Sequence, residues 1–145
     1  MQTFLPFPDF KVSVKCLDNK RLGKQRVEAK QILDVLEGRK EGWKNHPAVK
    51  MWKGYEEALK FYINCCIDEW ISRKNKKGEP FKNTMEYYHT VLDDEEYLEY
   101  PWWFGKDKFH ESHRSNLLRK DYSFYSKYGW IELTNLPYVW PKGKE

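Results

Sequence analysis

What the chain lacks narrows it first. Its 145 residues hold three cysteines, two of them adjacent at Cys65 and Cys66, and no Cys-x-x-Cys pair. That excludes a disulfide framework and a paired-cysteine zinc site. Reduced thiols are expected, with one of the adjacent pair buried. No apolar run approaches the ~20 residues of a membrane span, and "MQTFLPFPDF" has neither the charged start nor the long apolar centre of a secretion signal. A cytoplasmic protein without a membrane partner is expected. No stretch alternates apolar and polar residues for long enough to build a sheet, and repeats and low-complexity tracts are missing as well.

Aromatics are abundant instead. The chain is 40% hydrophobic and 17% aromatic, with seven Trp, ten Tyr and eight Phe, which excludes a disordered protein. Its length suits one domain spanning 1–145, with a monomer as the working expectation. Net charge is only +4, yet it is polarised along the chain. From Lys11 to Lys30 seven cations face Asp18 and Glu28; from Glu86 to Glu99 six acids occur with no Lys or Arg. Such a chain can present a basic face to an anion, although an ordinary solvated helix surface gives the same counts.

The local signals are helical. Asp9 is placed to cap a first segment after the proline-punctuated "LPFPDF", and Asp18 to cap a second that runs through Leu36 and stops at Gly38. Asn45 or His46 precedes Pro47, which suits a helix's first turn. The apolar spacing from Val49 through Trp52, Leu59, Tyr62 and Ile63 to Trp70 predicts one helix there. A weaker helix is expected around Thr84 to Leu92. Asp107 can cap another from Lys108 to about Lys120, and "DYSFYSKYG" adds a short one stopped by Gly129. The fold class is mainly α, a compact helical domain with long ordered loops.

Two clusters carry chemistry. On the helix through "RLGKQRVEAKQIL", Leu22, Ala29, Leu33 and Leu36 share the inward face. Gln25 lies in the middle of that face, Arg21 and Arg26 at its edges, and Glu28 just beyond Arg21. Single arginines can snorkel to solvent. Four polar residues together need partners to offset desolvation, and an anion pocket would supply them. In "FHESHRSNLLRKD", His110, His113 and Arg114 share a helical face that fits phosphate handling or proton transfer. It is not HExxH and no further ligand is evident, so neither a metal nor a cofactor is expected. Trp43, Trp102, Trp103, Tyr138 and Trp140 fall in loops, where they can stack on bases or pin the loops to a core.

The blocks "MQTFLPFPDF", "LDNKRLGKQRVEAKQIL", "HPAVKMWKGYEEAL", "FHESHRSNLLRKD" and "LPYVWP" together resemble a bacterial branch of the pyrimidine-dimer DNA glycosylases, relatives of the phage endonuclease V enzyme. The resemblance to that branch spans nearly the whole chain. It implies a compact helical fold, double-stranded DNA as partner, and an N-terminal α-amine that attacks C1′ of a damaged nucleotide. The base is displaced and an imine is left, from which β-elimination can cut the strand. Glu28 matches the assisting carboxylate, and Arg26 with Arg21 the phosphate clamp. The amine belongs to Met1, or to Gln2 if Met1 is removed. An α-amine, with pKa about 8, keeps an appreciable neutral fraction at pH 7, whereas a lysine at about 10.4 must be shifted first. The phage enzyme exposes a threonine amine and has its Arg and Glu adjacent. Here Gln2 follows Met1, Val27 separates Arg26 from Glu28, and water activated by Glu28 stays open as the attacking group.

The DNA-contacting set expected from charge, aromatics and resemblance is Arg21, Lys24, Gln25, Arg26, His46, His110, His113, Arg114, Lys120 and Trp140. Trp102, Trp103 and Gln25 are candidates for a wedge that compensates base unstacking. Two other classes remain open: a DNA-binding module without catalysis, and an enzyme on a small phosphorylated metabolite that uses the His110, His113 and Arg114 face.

Overall fold

A computed structural model of the chain describes residues 1–88 and 98–145. Among the described residues six helices follow in order: α1 (Phe10–Lys15), α2 (Asn19–Leu36), α3 (Pro47–Trp52), α4 (Glu56–Ser72), α5 (Asp107–Lys120) and α6 (Tyr122–Tyr125), the last continued by a 3₁₀ turn, Ser126–Tyr128. Among the described residues there is no strand, only an isolated bridge between Lys74 and Pro80. The fold is mainly α. No described helix is long and apolar enough to cross a membrane.

Local chemistry explains most boundaries. The Asp9 carboxylate accepts the Val12 N–H at 2.9 Å and opens α1. His46 caps α3 through Nδ1, which accepts the Ala48 N–H at 3.0 Å ahead of Pro47. Asp18 stands at the head of α2 without capping it, because its carboxylate is taken by Arg21 and by the Tyr125 hydroxyl. The single helix expected from Val49 to Trp70 is two. Gly54, at φ +86°, makes a left-handed turn between α3 and α4 that an apolar periodicity running through both sides conceals. Residues 84–88 are not helical, and the rest of the helix expected to Leu92 lies outside the described residues.

Helix α2 packs on α4, and α1 on α4. Leu22, Ala29, Ile32 and Leu33 face Leu59, Tyr62, Ile63 and Cys66 in a core that also takes Phe10, Trp52, Trp103 and Phe109. Cys65 and Cys66 are both buried, and no disulfide joins the three cysteines. Trp103 is buried, its ring N–H donating to Met51 O at 2.9 Å, so it is no wedge. Trp102 is exposed, with its ring N–H on Lys142 O at 2.7 Å.

The polar flank of α5 binds chain rather than water. Ser112 Oγ accepts the Val139 N–H at 3.2 Å, Ser115 Oγ the Leu136 N–H at 3.1 Å, and the Asn116 amide donates to Leu136 O at 3.1 Å. These side chains lay the extended C-terminal stretch along α5 and carry Tyr138 and Trp140 toward the first residues of the chain.

Candidate active site

Residues 1–5 are in neither helix nor strand, the chain bends at 6–8, and Gln2, Thr3, Phe4 and Leu5 are each at most 8% exposed. Pro6 and Pro8 keep the stretch out of a helix, and no strand pairs with it, so its backbone groups need side-chain partners. Gln25 supplies two. Its Oε1 accepts the Phe4 N–H at 2.8 Å, and its Nε2 donates to Gln2 O at 2.8 Å. The Tyr62 hydroxyl sits 2.7 Å from Gln25 Oε1 and 2.9 Å from Phe4 O. His113 Nδ1 accepts the Leu5 N–H at 2.9 Å. His110 Nδ1 donates to Leu5 O at 2.7 Å while its Nε2 accepts the Gly105 N–H at 2.9 Å, which fixes its neutral tautomer. Arg114 donates to Pro6 O at 2.6 Å and pairs with Glu132.

This arrangement corrects four expectations. Gln25, His110 and His113 are 1%, 2% and 1% exposed, so none can contact DNA, and Gln25 cannot be a wedge. Arg114 is half-buried and committed to Pro6 and Glu132. The polar residues on the inner faces of α2 and α5 serve the backbone of the N-terminal segment. The phosphometabolite alternative loses its grip for the same reason.

The buried histidines make stability pH-dependent. Burial pushes His113 down to about 3, and His110 also lies below its ordinary value, chiefly through burial. In the unfolded chain both titrate near 6.5. Between those values the unfolded state binds more protons, so stability is complete above about pH 6.5 and falls as pH drops toward 3. His113 alone contributes a slope of roughly 1.4 kcal/mol per pH unit. Urea denaturation at pH 7 and pH 5 should show a loss of about 2 kcal/mol or more at the lower pH, and a flat profile would contradict the neutral clamp.

The clamp delivers Met1 to a cleft of about 380 Å³ lined by Met1, Gln2, Phe4, Lys20, Arg21, Lys24, Glu28, His46, Lys120, Tyr138 and Trp140. The volume lies at the small end of the roughly 300–1,000 Å³ range of ligand pockets. Glu28 Oε2 accepts the Gln2 N–H at 3.2 Å, so the carboxylate stands one residue from the amine. His46 is held below its usual value first by burial and then by the positive N-terminal amine. Trp43 and Trp140 flank His46, with ring centroids 5.8 and 6.2 Å from it. Lys20, Lys24 and Lys120 are exposed at the rim and form no ion pair among the described residues, while Arg21 is tied to Asp18 at 3.2 Å.

Of the expected set, the cleft gathers Met1, Gln2, Arg21, Lys24, Glu28, His46, Lys120 and Trp140. Arg26 departs from it. Its side chain lies on the other flank of α2, stacked 4.6 Å from the Trp70 ring centre and bonded to Asn83 Oδ1 at 2.5 Å. There a second groove, about 520 Å³, shares Lys20, Lys24 and Glu28 with the cleft. Lys20 and Phe4 were not among the expected site residues, and Tyr138 was expected only as a loop aromatic. Lys20 had a signal: it precedes Lys24 by four residues and Glu28 by eight, one row of a helix.

The sequence model of one family, described as pyrimidine dimer DNA glycosylase, matches residues 1–83. This span contains the N-terminal segment, α2 and His46, whereas Lys120, Tyr138 and Trp140 lie beyond it. The chain belongs to the pyrimidine dimer DNA glycosylase family, and its role is that of a DNA repair glycosylase with DNA as substrate. No curated protein and no solved structure matches the chain.

Proposed function

We propose that the cation-rimmed cleft is the base-excision centre, that the α-amine at residue 1 is its nucleophile, and that Glu28 handles the protons. The observation that carries this reading is the clamp. Four buried side chains, Gln25, Tyr62, His110 and His113, with Arg114 beside them, hold an otherwise unpaired segment so that its first residue stands beside a carboxylate.

The amine nitrogen bonds to C1′ of the damaged nucleotide as the N-glycosidic bond breaks, and the bonding pair leaves with the base. Glu28 takes the proton released from the nitrogen, which balances the one gained by the base. Opening of the sugar ring leaves an imine, from which removal of a C2′ proton forms the C2′=C3′ bond, expels the 3′ phosphate and would cut the strand. Lys20, Lys24 and Lys120 engage backbone phosphates around the extruded nucleotide. The core runs from Phe4 to Tyr125, which supports reading 1–145 as one glycosylase-like domain.

Borohydride trapping tests the nucleophile on duplexes that carry a cyclobutane dimer, an abasic site or an oxidised pyrimidine. Mass spectrometry locates the adduct and reads the intact N-terminus. The expected result is an adduct at residue 1. A lysine adduct would refute the assigned amine, and base release without any adduct would transfer the attack to water activated by Glu28. Neither release nor adduct on all three duplexes would favour a binding module.

A further inference from the structure

The side chain of Gln2 has a role that the clamp does not use. Its backbone is pinned on both sides, the N–H on Glu28 at 3.2 Å and the C=O under Gln25 Nε2 at 2.8 Å. Its side-chain Oε1 accepts the Thr3 N–H at 2.9 Å. That bond fixes the carboxamide's orientation, because a flip would set its NH₂ group against another N–H. Nε2 is therefore held facing away from Thr3. It is buried and has no hydrogen-bond partner among the described residues, and its residue lines the cleft. Buried donors are almost always paired in native proteins, and one left open at a cleft wall points to a ligand acceptor. Burial raises the pKa of the neighbouring Tyr138 phenol, against the charge of Arg119 and the nearby Gln2 carboxamide, which lower it.

We propose that the Gln2 Nε2–H group donates to the O2 carbonyl oxygen of the pyrimidine in the cleft and stabilises the base as it departs. The assignment rests on the cleft being the excision centre. When the C1′–N1 bond breaks, its electron pair passes to N1 and spreads onto the ring carbonyls, O2 being the nearer. The donor gains most where that charge develops, so it favours the transition state over the bound substrate. Gln2 transfers no proton. The base is protonated at N1 by the proton that the attacking nitrogen loses through Glu28. Geometry agrees with the chemistry: O2 adjoins the reacting N1, and Gln2 adjoins the residue that bears the amine. A donor here also selects for a ring with an acceptor beside its glycosidic nitrogen.

The test separates base departure from amine chemistry. Gln2→Met keeps length and removes the donors; Gln2→Glu keeps shape and replaces the donor with an anion. Each full-length variant is checked for an unchanged N-terminus and melting temperature. Both are then assayed in single turnover on a duplex with a thymine dimer and on the same duplex with a preformed abasic site. Gln2→Met is expected to slow base excision 10- to 100-fold, and Gln2→Glu more, while borohydride trapping on the abasic duplex stays within about twofold. Equal losses on both duplexes would make Gln2 a residue that only positions the amine, and no loss on either would show that the donor is idle; both overturn the assignment alone. A wild-type protein inactive on both duplexes would overturn the cleft reading and this assignment with it.

Discussion

Glu28→Gln is expected to lower single-turnover excision by about 10³-fold and to leave duplex affinity within about threefold, within the usual range for loss of an acid–base group. The amide oxygen of glutamine can still accept the Gln2 N–H, now held at 3.2 Å by the carboxylate, so the N-terminal segment keeps its place. What is lost is the capacity to take a proton from the attacking nitrogen, or from water. Removing a negative charge from the basic rim does not weaken phosphate binding. Rapid-quench kinetics with fluorescence anisotropy on the same duplex separates the two quantities. Unchanged excision would place Glu28 outside the chemistry, and a matching loss of affinity would make it a binding residue.

The second large effect concerns the rim. Lys20, Lys24 and Lys120 lie on two elements distant in sequence, α2 and the end of α5, yet border one cleft. Each phosphate contact by a cation contributes about 0.9 unit to the slope of log affinity against log salt. Replacing all three lysines with glutamine should flatten that slope by about 2.7 units and reduce affinity in 0.1 M salt by roughly 10²–10³-fold. Arg21 is left in place because Asp18 already holds it. All three are exposed, so the variant should melt close to the wild type. A slope unchanged by the triple substitution would move the DNA path elsewhere, with the groove of Arg26 and Trp70 the next surface to test.

The helices were legible where chemistry is local. Asp9, Pro47, Gly38 and Gly129 announce their ends, and α2 begins after Asp18 as expected, although that carboxylate binds Arg21 and Tyr125 instead of capping it. The turn at Gly54 was hidden because the residues on both sides share one apolar period. The site was legible as a list and illegible as a geometry. Gln25 stood out as a polar residue on an inward face, but its partner is the backbone of residues 2 and 4, and no sequence pattern marks a side chain that binds a distant main chain. His110 and His113 were correctly placed on one face of α5. Their direction was not readable, since a helix flank rich in Ser, His and Asn looks solvent-facing until the chain it holds is known. Arg26 was misplaced because two positions from Glu28 are about 200° of helix, which takes it from the cleft flank to that of Trp70.

The span of the clamp also sets when the cleft can exist. The bonds from His110, His113 and Arg114 to residues 5 and 6 bridge 105 to 108 positions of chain. Closing so long a loop carries an entropic cost that earlier contacts do not recover, which places it late in folding. During synthesis the first residues leave the ribosome long before α5 does, and Gln25 and Tyr62 are the only clamp side chains they can meet in the interval. The segment that lines the cleft is thus made before α5, yet it is held in place only once α5 is available. A growing chain holds the two sides of the cleft apart until α5 has emerged.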